Sequence, residues 1–259
     1  MTHEIEIRVD AGVQTIRLVR PEKKNALTGP MYEAMSQALD AADANDDIAV
    51  HVFLGTRGAF SAGNDINDFM RRAADGSQHA APSQLFIERL PRVRKPMIAA
   101  VDGLAVGIGV TLLLHCDLVY ASPAATFSTP FVDLGLIQEA GSSVLGPARL
   151  GHARAFELLV LGESWSAERG LTAGLINAIV ASGELEGRAF AAARRLAAKP
   201  RAAMLAARRM LKVDPALITA TIAKEAAEYR TLLGSPEAKE AFAAFLEKRN
   251  PDFARARRG

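Results

Sequence analysis

Strand and helix patterns alternate along this chain of 259 residues as far as about residue 180, and then the strand pattern stops. Short apolar strand segments at residues 50–54, 97–101 and 117–121 are separated by helical or glycine-rich stretches. The last part is rich in Ala, Arg, Leu and Glu and predicts helices alone. Because repeated strand–strand–helix units favour a spiral over a simple doubly wound sheet, we predict an α/β spiral followed by a helical region.

Local signals predict a hairpin and a helix at the start of the chain. Alternating apolar and charged residues at positions 5–9, with a turn at Ala11-Gly12, indicate two antiparallel strands. Thr28 is placed to cap the next helix, whose apolar residues between positions 31 and 42 fall on one face.

The helical end of the chain is predicted to be a unit of its own. We place the spiral core at residues 1–198 and a helical oligomerisation region at residues 199–259. From about residue 181 to the end, the sequence predicts three amphipathic helices broken at Pro200, Asp214-Pro215 and Ser235-Pro236. Helices with many small residues and little core of their own pack on the core domain or on another subunit. Arg71–Pro82 is polar and contains Ala and Gly, which predicts a mobile loop.

Composition excludes several classes of protein. With 31 basic and 29 acidic residues, a net charge of +2 and 49% hydrophobic residues, the chain fits a packed protein and gives no reason to expect nucleic acid as a partner. Its single cysteine, Cys116, excludes a disulfide framework and fits a reducing compartment. No apolar run approaches the roughly 18 residues of a membrane span, and the acidic, alternating N-terminus resembles no signal peptide. We therefore expect a cytoplasmic protein without a membrane partner.

Two glycine-containing turns, at residues 58–66 and 105–111, each lie where a strand gives way to a helix. Glycine lets the backbone approach a ligand closely, and free N–H groups at a helix start favour negative charge. Two such N–H groups directed at one oxygen would form an oxyanion hole. Each turn alone also fits a simple tight turn with close packing.

Five segments, spread over most of the chain, form a characteristic series. They are RPEKKNAL at residues 20–27, FSAGND at 60–65, KPMIAAVDG at 95–103, CDLVYA at 116–121 and FLEKRNPDF at 245–253. In this order they resemble the enoyl-CoA hydratase/isomerase (crotonase) superfamily. The resemblance implies a crotonase-type ββα spiral core and a C-terminal helical trimerisation region. It also implies an acyl-CoA substrate, a homotrimer or a dimer of trimers, and no metal or separate cofactor, since coenzyme A is part of the substrate.

The resemblance carries specific roles onto this sequence. The backbone N–H groups of Ala62 and Ile108 are expected to hold the thioester oxygen. Lys23 and Lys24 lie where the family contacts the CoA phosphates, although they also fit an ordinary solvated loop. The substrate-binding residues implied in this way are Lys23, Lys24, Ala26, Ala62, Gly63, Asn64, Asp65, Ile66, Gly107 and Phe131.

The acid/base residues distinguish reactions within the superfamily. Hydratases resemble one another in having two glutamates, and the corresponding positions here are Thr111 and Phe131. The segment after Phe131 resembles the peroxisomal-type Δ3,Δ2-enoyl-CoA isomerase branch, with a glutamate eight residues further on, Glu139. The resemblance therefore implies Glu139 as the sole catalytic base. Glu139 also fits a helix cap, and Asp133 is the rival base.

These implications favour an enoyl-CoA isomerase that moves a double bond from C3 to C2 of an unsaturated acyl-CoA. Two alternatives stay open. One is another crotonase reaction, such as enoyl-CoA hydration with Asp133 or Glu139 recruited. The other is a catalytically silent acyl-CoA-binding protein, against which the presence of Glu139 argues.

Overall fold

The structure, a computed structural model, describes residues 3–66, 81–256 and 258. Of the predicted mobile loop Arg71–Pro82, residues 71–80 lie outside the described residues, and Pro82 opens a helix. No helix in the described part is long and apolar enough to cross a bilayer.

The described strands form two sheets. The strands are β1 (Ile5–Asp10), β2 (Val13–Leu18), β3 (Val50–Leu54), β4 (Ala59–Ser61), β5 (Met97–Val101), β6 (Leu104–Val106), β7 (Leu118–Ala121), β8 (Thr126–Ser128), β9 (Trp165–Ser166) and β10 (Ala178–Ile179). The larger sheet has the order β1-β2-β3-β5-β7-β10, antiparallel between β1 and β2 and parallel elsewhere. The smaller sheet has the order β4-β6-β8-β9, in which β9 is antiparallel.

Helices connect and cover these sheets. Short 3-10 turns occur at Pro21–Lys23, Leu90–Arg92 and Val132–Leu134. The described α-helices are α1 (Gly29–Ala44), α2 (Pro82–Arg89), α3 (Ile108–His115), α4 (Ser142–Leu150), α5 (His152–Leu159), α6 (Ala167–Ala173), α7 (Ser182–Ala197), α8 (Arg201–Leu211), α9 (Pro215–Leu233), α10 (Pro236–Glu247) and α11 (Phe253–Ala256).

Successive strands alternate between the two sheets, which confirms the spiral. β3, β5 and β7 lie in the larger sheet, whereas β4, β6 and β8, each the next strand along the chain, lie in the smaller one. Helices α3 and α4 follow the second and third of these strand pairs. The mixed α/β architecture and the ββα unit are therefore as the sequence predicts.

The central strands β3 and β5 of the larger sheet are buried on both faces. Leu185 and Ala189 of α7 pack with Val50, Val52 and Ile98 on one face, because alternate residues of a strand point to opposite sides. The opposite face belongs to the main core, to which α9 contributes two isoleucines. The proposed division after residue 198 stays a prediction.

Three local predictions need correction. The glycine-rich stretch 103–109 contains a strand, β6, which is only three residues long and exists because it pairs with β4 and β8. The three predicted tail breaks are correct, but they separate four helices, α7 to α10. Thr28 is the N-cap residue of α1, as predicted, but its side chain accepts no N–H group of the helix. Its hydroxyl instead donates to Glu4 Oε2 at 3.3 Å.

Candidate active site

The two glycine-containing turns meet at one edge of the smaller sheet. They follow β4 and β6, which are parallel neighbours, so both turns leave the sheet at the same end. Gly63 has φ +86°, and a Cβ there would lie 2.9 Å from the Val106 carbonyl oxygen. A Cβ on Gly109 would lie 3.0 Å from the Ser61 carbonyl oxygen. Glycine is therefore required where the turns contact each other.

A buried asparagine fixes the first turn. Asn25 Nδ2 donates to the Ala59 carbonyl at 2.7 Å and to Thr56 Oγ1 at 3.0 Å. The Ser61 hydroxyl donates to the Asn25 carbonyl at 2.9 Å and accepts from the Gly63 N–H at 3.1 Å. This network ties the 20–27 segment to the turn. Asn25 lies in a segment that the sequence analysis singled out, but no role was predicted for it.

The predicted oxyanion donor Ala62 is wrong. Its N–H donates to the Lys24 carbonyl at 2.9 Å, so this hydrogen is already used inside the protein. The cause is the close approach of the 20–27 segment, which the sequence spacing does not reveal.

Two other N–H groups are free to bind an oxygen. Asn64 makes no backbone N–H hydrogen bond within the described residues, whereas its neighbour Asp65 donates to the Leu27 carbonyl at 2.9 Å. Ile108 is the first residue of α3, where an N–H has no intrahelical acceptor. Both Asn64 and Ile108 line the same cavity. The structure therefore retains Ile108 as a candidate donor and replaces Ala62 by Asn64.

The charged residues near the first turn divide into two kinds. Lys23 and Lys24 are exposed and available to a ligand in solvent. The carboxylate of Asp65 forms an ion pair with Arg20 at 2.7 Å, and Arg20 also donates to the Ala26 carbonyl at 3.0 Å. Asp65 therefore anchors the loop. Arg20 was not predicted as a functional residue, although it belongs to the quoted RPEKKNAL segment.

A cavity of about 330 Å³ lies beside the two turns. Its wall includes residues 62–64 and 66, residues 106–108, and an apolar group formed by Phe131, Leu134 and Leu136. Helix α10 adds Phe242 and Phe245 from the C-terminal region. The cavity thus offers free N–H groups at one side of a mainly apolar space, which suits a thioester with an acyl chain.

Glu139 has the environment of a base. The residue as a whole is partly buried, but its Oε1 atom is closed to solvent and has no hydrogen-bond partner among the described residues. Burial, with a smaller contribution from Glu225, raises the pKa of Glu139 to about 8. Glu139 is not among the residues that line the cavity, whereas Tyr229 is. Burial and the nearby charge of Glu139 both raise the pKa of Tyr229, so Glu139 interacts with a residue of the cavity wall.

The helix-cap interpretation of the Glu139 side chain is wrong. The cap of α4 is Glu225, whose two carboxylate oxygens accept the N–H groups of Gly141 at 2.7 Å and Ser143 at 2.9 Å. Only the backbone carbonyl of Glu139 takes part, by accepting the N–H of Ser142 at 3.1 Å. No local sequence signal pointed to Glu225, since it lies 84 residues from Gly141.

The positions that carry glutamates in hydratases provide no carboxylate here. Thr111 is fully buried, and its hydroxyl has no hydrogen-bond partner in the described part of the chain. Phe131 forms part of the cavity wall. The rival base Asp133 also lies in that wall but is exposed.

The histidine and cysteine at the end of α3 are structural. His115 Nε2 lies 2.7 Å from the Ala140 carbonyl, and burial lowers the pKa of this histidine to about 4. Burial raises the pKa of the Cys116 thiol to about 12. A neutral imidazole and an inert thiol fit core roles.

Comparison with known proteins agrees with this geometry. The family model for enoyl-CoA hydratase/isomerase matches residues 8–256. Rat enoyl-CoA delta isomerase 2 is 39% identical over 180 residues, which cover 68% of this chain and 46% of the rat protein. The 1,2-epoxyphenylacetyl-CoA isomerase of Escherichia coli K12 is 33% identical over 95% of this chain and 96% of its own length.

A solved structure shows the same fold. The enoyl-CoA hydratase/isomerase of Pseudoalteromonas atlantica T6c superimposes with a TM-score of 0.91 at 32% identity, covering 96% of this chain and 99% of that one. Relatives named as hydratases also match. The chain belongs to the enoyl-CoA hydratase/isomerase family and has the crotonase fold. It is an enzyme of this family.

Proposed function

We propose that this protein is a Δ3,Δ2-enoyl-CoA isomerase with Glu139 as its single base. The observation that carries the proposal is the solvent-free, unpaired Oε1 of Glu139, whose pKa burial raises to about 8. A carboxyl group with a pKa near the working pH can both take up and return a proton. Rat enoyl-CoA delta isomerase 2, which is 39% identical over its matched region, supports the same choice.

The reaction needs one carboxylate and two N–H donors. Glu139 removes a proton from C2 of a 3-enoyl thioester, and the C2–H electron pair enters a dienolate whose negative charge lies on the thioester oxygen. The N–H groups of Asn64 and Ile108 stabilise that charge, and each such donor contributes about 2.7–4 kcal/mol in a preorganised site. The protonated Glu139 then gives the same proton to C4, and the double bond moves to C2.

The remaining residues of the site bind the acyl-CoA. We assign Gly63, Ile66, Gly107 and Phe131 to the thioester and pantetheine region, because they lie in or beside the cavity wall. The exposed Lys23 and Lys24 are proposed to contact the CoA phosphates. The substrate supplies the coenzyme, so no separate cofactor or metal is assigned.

Hydration is the second candidate, and relatives with hydratase names support it. Activating a water in the hydratase manner calls for two carboxylates, and the corresponding positions are Thr111 and Phe131. We therefore expect the protein to hydrate 2-enoyl-CoA more slowly than it isomerises 3-enoyl-CoA.

The test replaces the proposed base and compares the result with replacement of Asp133, a carboxylate in the cavity wall. Glu139→Gln keeps the shape and removes the basic group, so the isomerase kcat should fall by roughly 10²–10⁴-fold. Asp133→Asn should cost less than about 10-fold, because Asp133 is exposed to water. Ultraviolet absorbance of the conjugated product measures the rate. A nearly fully active Glu139→Gln enzyme, or hydration faster than isomerisation, would remove the proposal.

A further inference from the structure

Helix α9 holds the segment that carries Glu139. Glu225 of this helix is buried, and its two oxygens accept the Gly141 and Ser143 N–H groups. On the other side of the segment, His115 of α3 contacts the Ala140 carbonyl at 2.7 Å. The segment is thus held from two helices on either side of residue 140.

This support is needed because the backbone there is unfavourable. Ala140 has φ +62° and Gly141 has φ +71°, and a left-handed conformation costs energy for a residue with a Cβ. Residues in such conformations persist only where the surroundings fix them. Without the Glu225 contacts, the adjacent Glu139 would lose its defined position.

Burial raises the pKa of Glu225, and its hydrogen bonds from the N–H groups of Gly141 and Ser143 oppose this rise. Both of its oxygens act as acceptors from backbone N–H groups, which is the pattern of an ionised carboxylate. The start of α4 supplies a favourable dipole for this charge, and no cation pairs with Glu225 in the described part of the chain.

Few charged groups can influence Glu139. Glu225 and Tyr229 of α9 both interact electrostatically with Glu139. His115 of α3, which contacts the carbonyl of the next residue, Ala140, is kept neutral by burial. Of these groups, Glu225 is the one whose hydrogen bonds favour the charged form. Like charges disfavour a second ionisation, so Glu225 opposes loss of the proton from Glu139.

We propose that Glu225 is a positioning residue for the isomerase reaction, which fixes the segment carrying Glu139 and holds a negative charge beside its carboxyl group. This inference rests on the proposed function of Glu139. It goes beyond a helix cap, because a cap needs only hydrogen-bond acceptors, whereas the basicity of Glu139 depends on the charge.

The experiment compares pH–rate profiles of the wild type, Glu225→Gln and Glu186→Gln. Glu225→Gln keeps an acceptor and removes the charge, so the apparent pKa of the base should fall. We expect kcat to decrease with little change in the binding of a saturated acyl-CoA. Glu186→Gln removes an exposed carboxylate of α7 that pairs with Arg17 and should leave the profile unchanged.

The outcomes separate this inference from the proposed function. If Glu139→Gln is inactive but the pKa of a folded Glu225→Gln enzyme equals that of the wild type, Glu225 is only a helix cap and the inference is overturned. If Glu139→Gln is active, the proposed function itself fails.

A second measurement tests the inference if Glu225→Gln does not fold. Carbon NMR of wild-type protein labelled at glutamate should show one carboxyl titrating near pH 8, and this signal should be absent in Glu139→Gln. The Glu225 signal, assigned as the one lost in Glu225→Asp, should be that of an ionised carboxylate at pH 7. A protonated Glu225 at that pH would overturn the inference.

Discussion

Two glutamates in one region of this protein have opposite environments. Glu225 satisfies both carboxylate oxygens with backbone N–H groups, whereas Oε1 of Glu139 is buried without a partner among the described residues. Hydrogen bonds to a carboxylate stabilise its charged form, and burial without them favours the neutral form. Burial raises the pKa of both groups, but only Glu225 has hydrogen bonds that oppose this rise. This difference supports the proposed roles of a structural anion for Glu225 and a proton carrier for Glu139.

The environment of Glu139 predicts how stability depends on pH. Its pKa is about 8 in the folded protein and about 4.3 in an unfolded chain. Between these pH values the folded state holds more protons, so the free energy of unfolding decreases as the pH rises through this window. Glu139→Gln has no carboxyl group to ionise at this position. From pH 5 to pH 9, its free energy of unfolding should therefore rise by at least about 1 kcal/mol relative to that of the wild type.

Urea unfolding of both proteins at the two pH values measures this difference. The variant should be the more stable protein at pH 9, even though it is inactive. A difference that stays constant from pH 5 to pH 9 would show that Glu139 ionises normally in the folded state.

Among the elements, the contact between the two turns shapes the proposed acyl-CoA site. β4 and β6 are short strands, and their parallel pairing brings both turns to one edge. Asn64 and Ile108 then lie in the wall of one cavity. A distortion of this contact should therefore affect ligand binding more than it affects the rest of the fold.

Two glycines of the first turn provide a matched test of this contact. Gly63 and Gly58 both have positive φ, +86° and +80°, so Ala at either position costs about 1–2 kcal/mol of stability. Only at Gly63 would the new Cβ meet a backbone atom, the Val106 carbonyl oxygen at 2.9 Å, whereas Gly58 has open space. We expect Gly63→Ala to weaken saturated acyl-CoA binding at least about 10-fold, and Gly58→Ala to leave the affinity unchanged.

Calorimetric titration of both variants measures this effect, with unfolding curves as the check that each is folded. Wild-type affinity in folded Gly63→Ala would exclude the turn contact from the binding site.

For the whole molecule, the exposed apolar surface of the C-terminal region predicts self-association. Met210 and Leu211, at the end of α8, are 81% and 88% exposed. We propose that subunits of a homotrimer, or of a dimer of trimers, cover these side chains. The double substitution Met210→Glu and Leu211→Glu should shift the protein to smaller species in sedimentation experiments, because buried charges oppose association.

Exposed Phe156 of α5 provides a control position outside the helical C-terminal region. Phe156→Glu should leave the sedimentation of the protein unchanged. A wild-type protein that sediments as a monomer at micromolar concentration would contradict the proposed assembly.

Features that depend on neighbouring residues could be predicted from the sequence alone. Periodicity and turn residues predict the β1–β2 hairpin and the buried face of α1. Proline geometry predicts the helix breaks at Pro200, Pro215 and Pro236. The quoted segments also identified the family correctly. Each of these signals lies within a short stretch of chain, where local physical rules are sufficient.

Contacts between distant parts of the chain determine which N–H and carboxyl groups remain without hydrogen-bond partners among the described residues. The N–H of Ala62 is used by Lys24, so the candidate donor is Asn64, and β6 forms only because β4 and β8 flank it. Glu225 caps α4 from 84 residues away, which leaves the Glu139 carboxyl without that role. Hydrogen-bond satisfaction and burial depend on segments that are distant in sequence and close in space, so local patterns could propose the catalytic groups but could not determine their pairing.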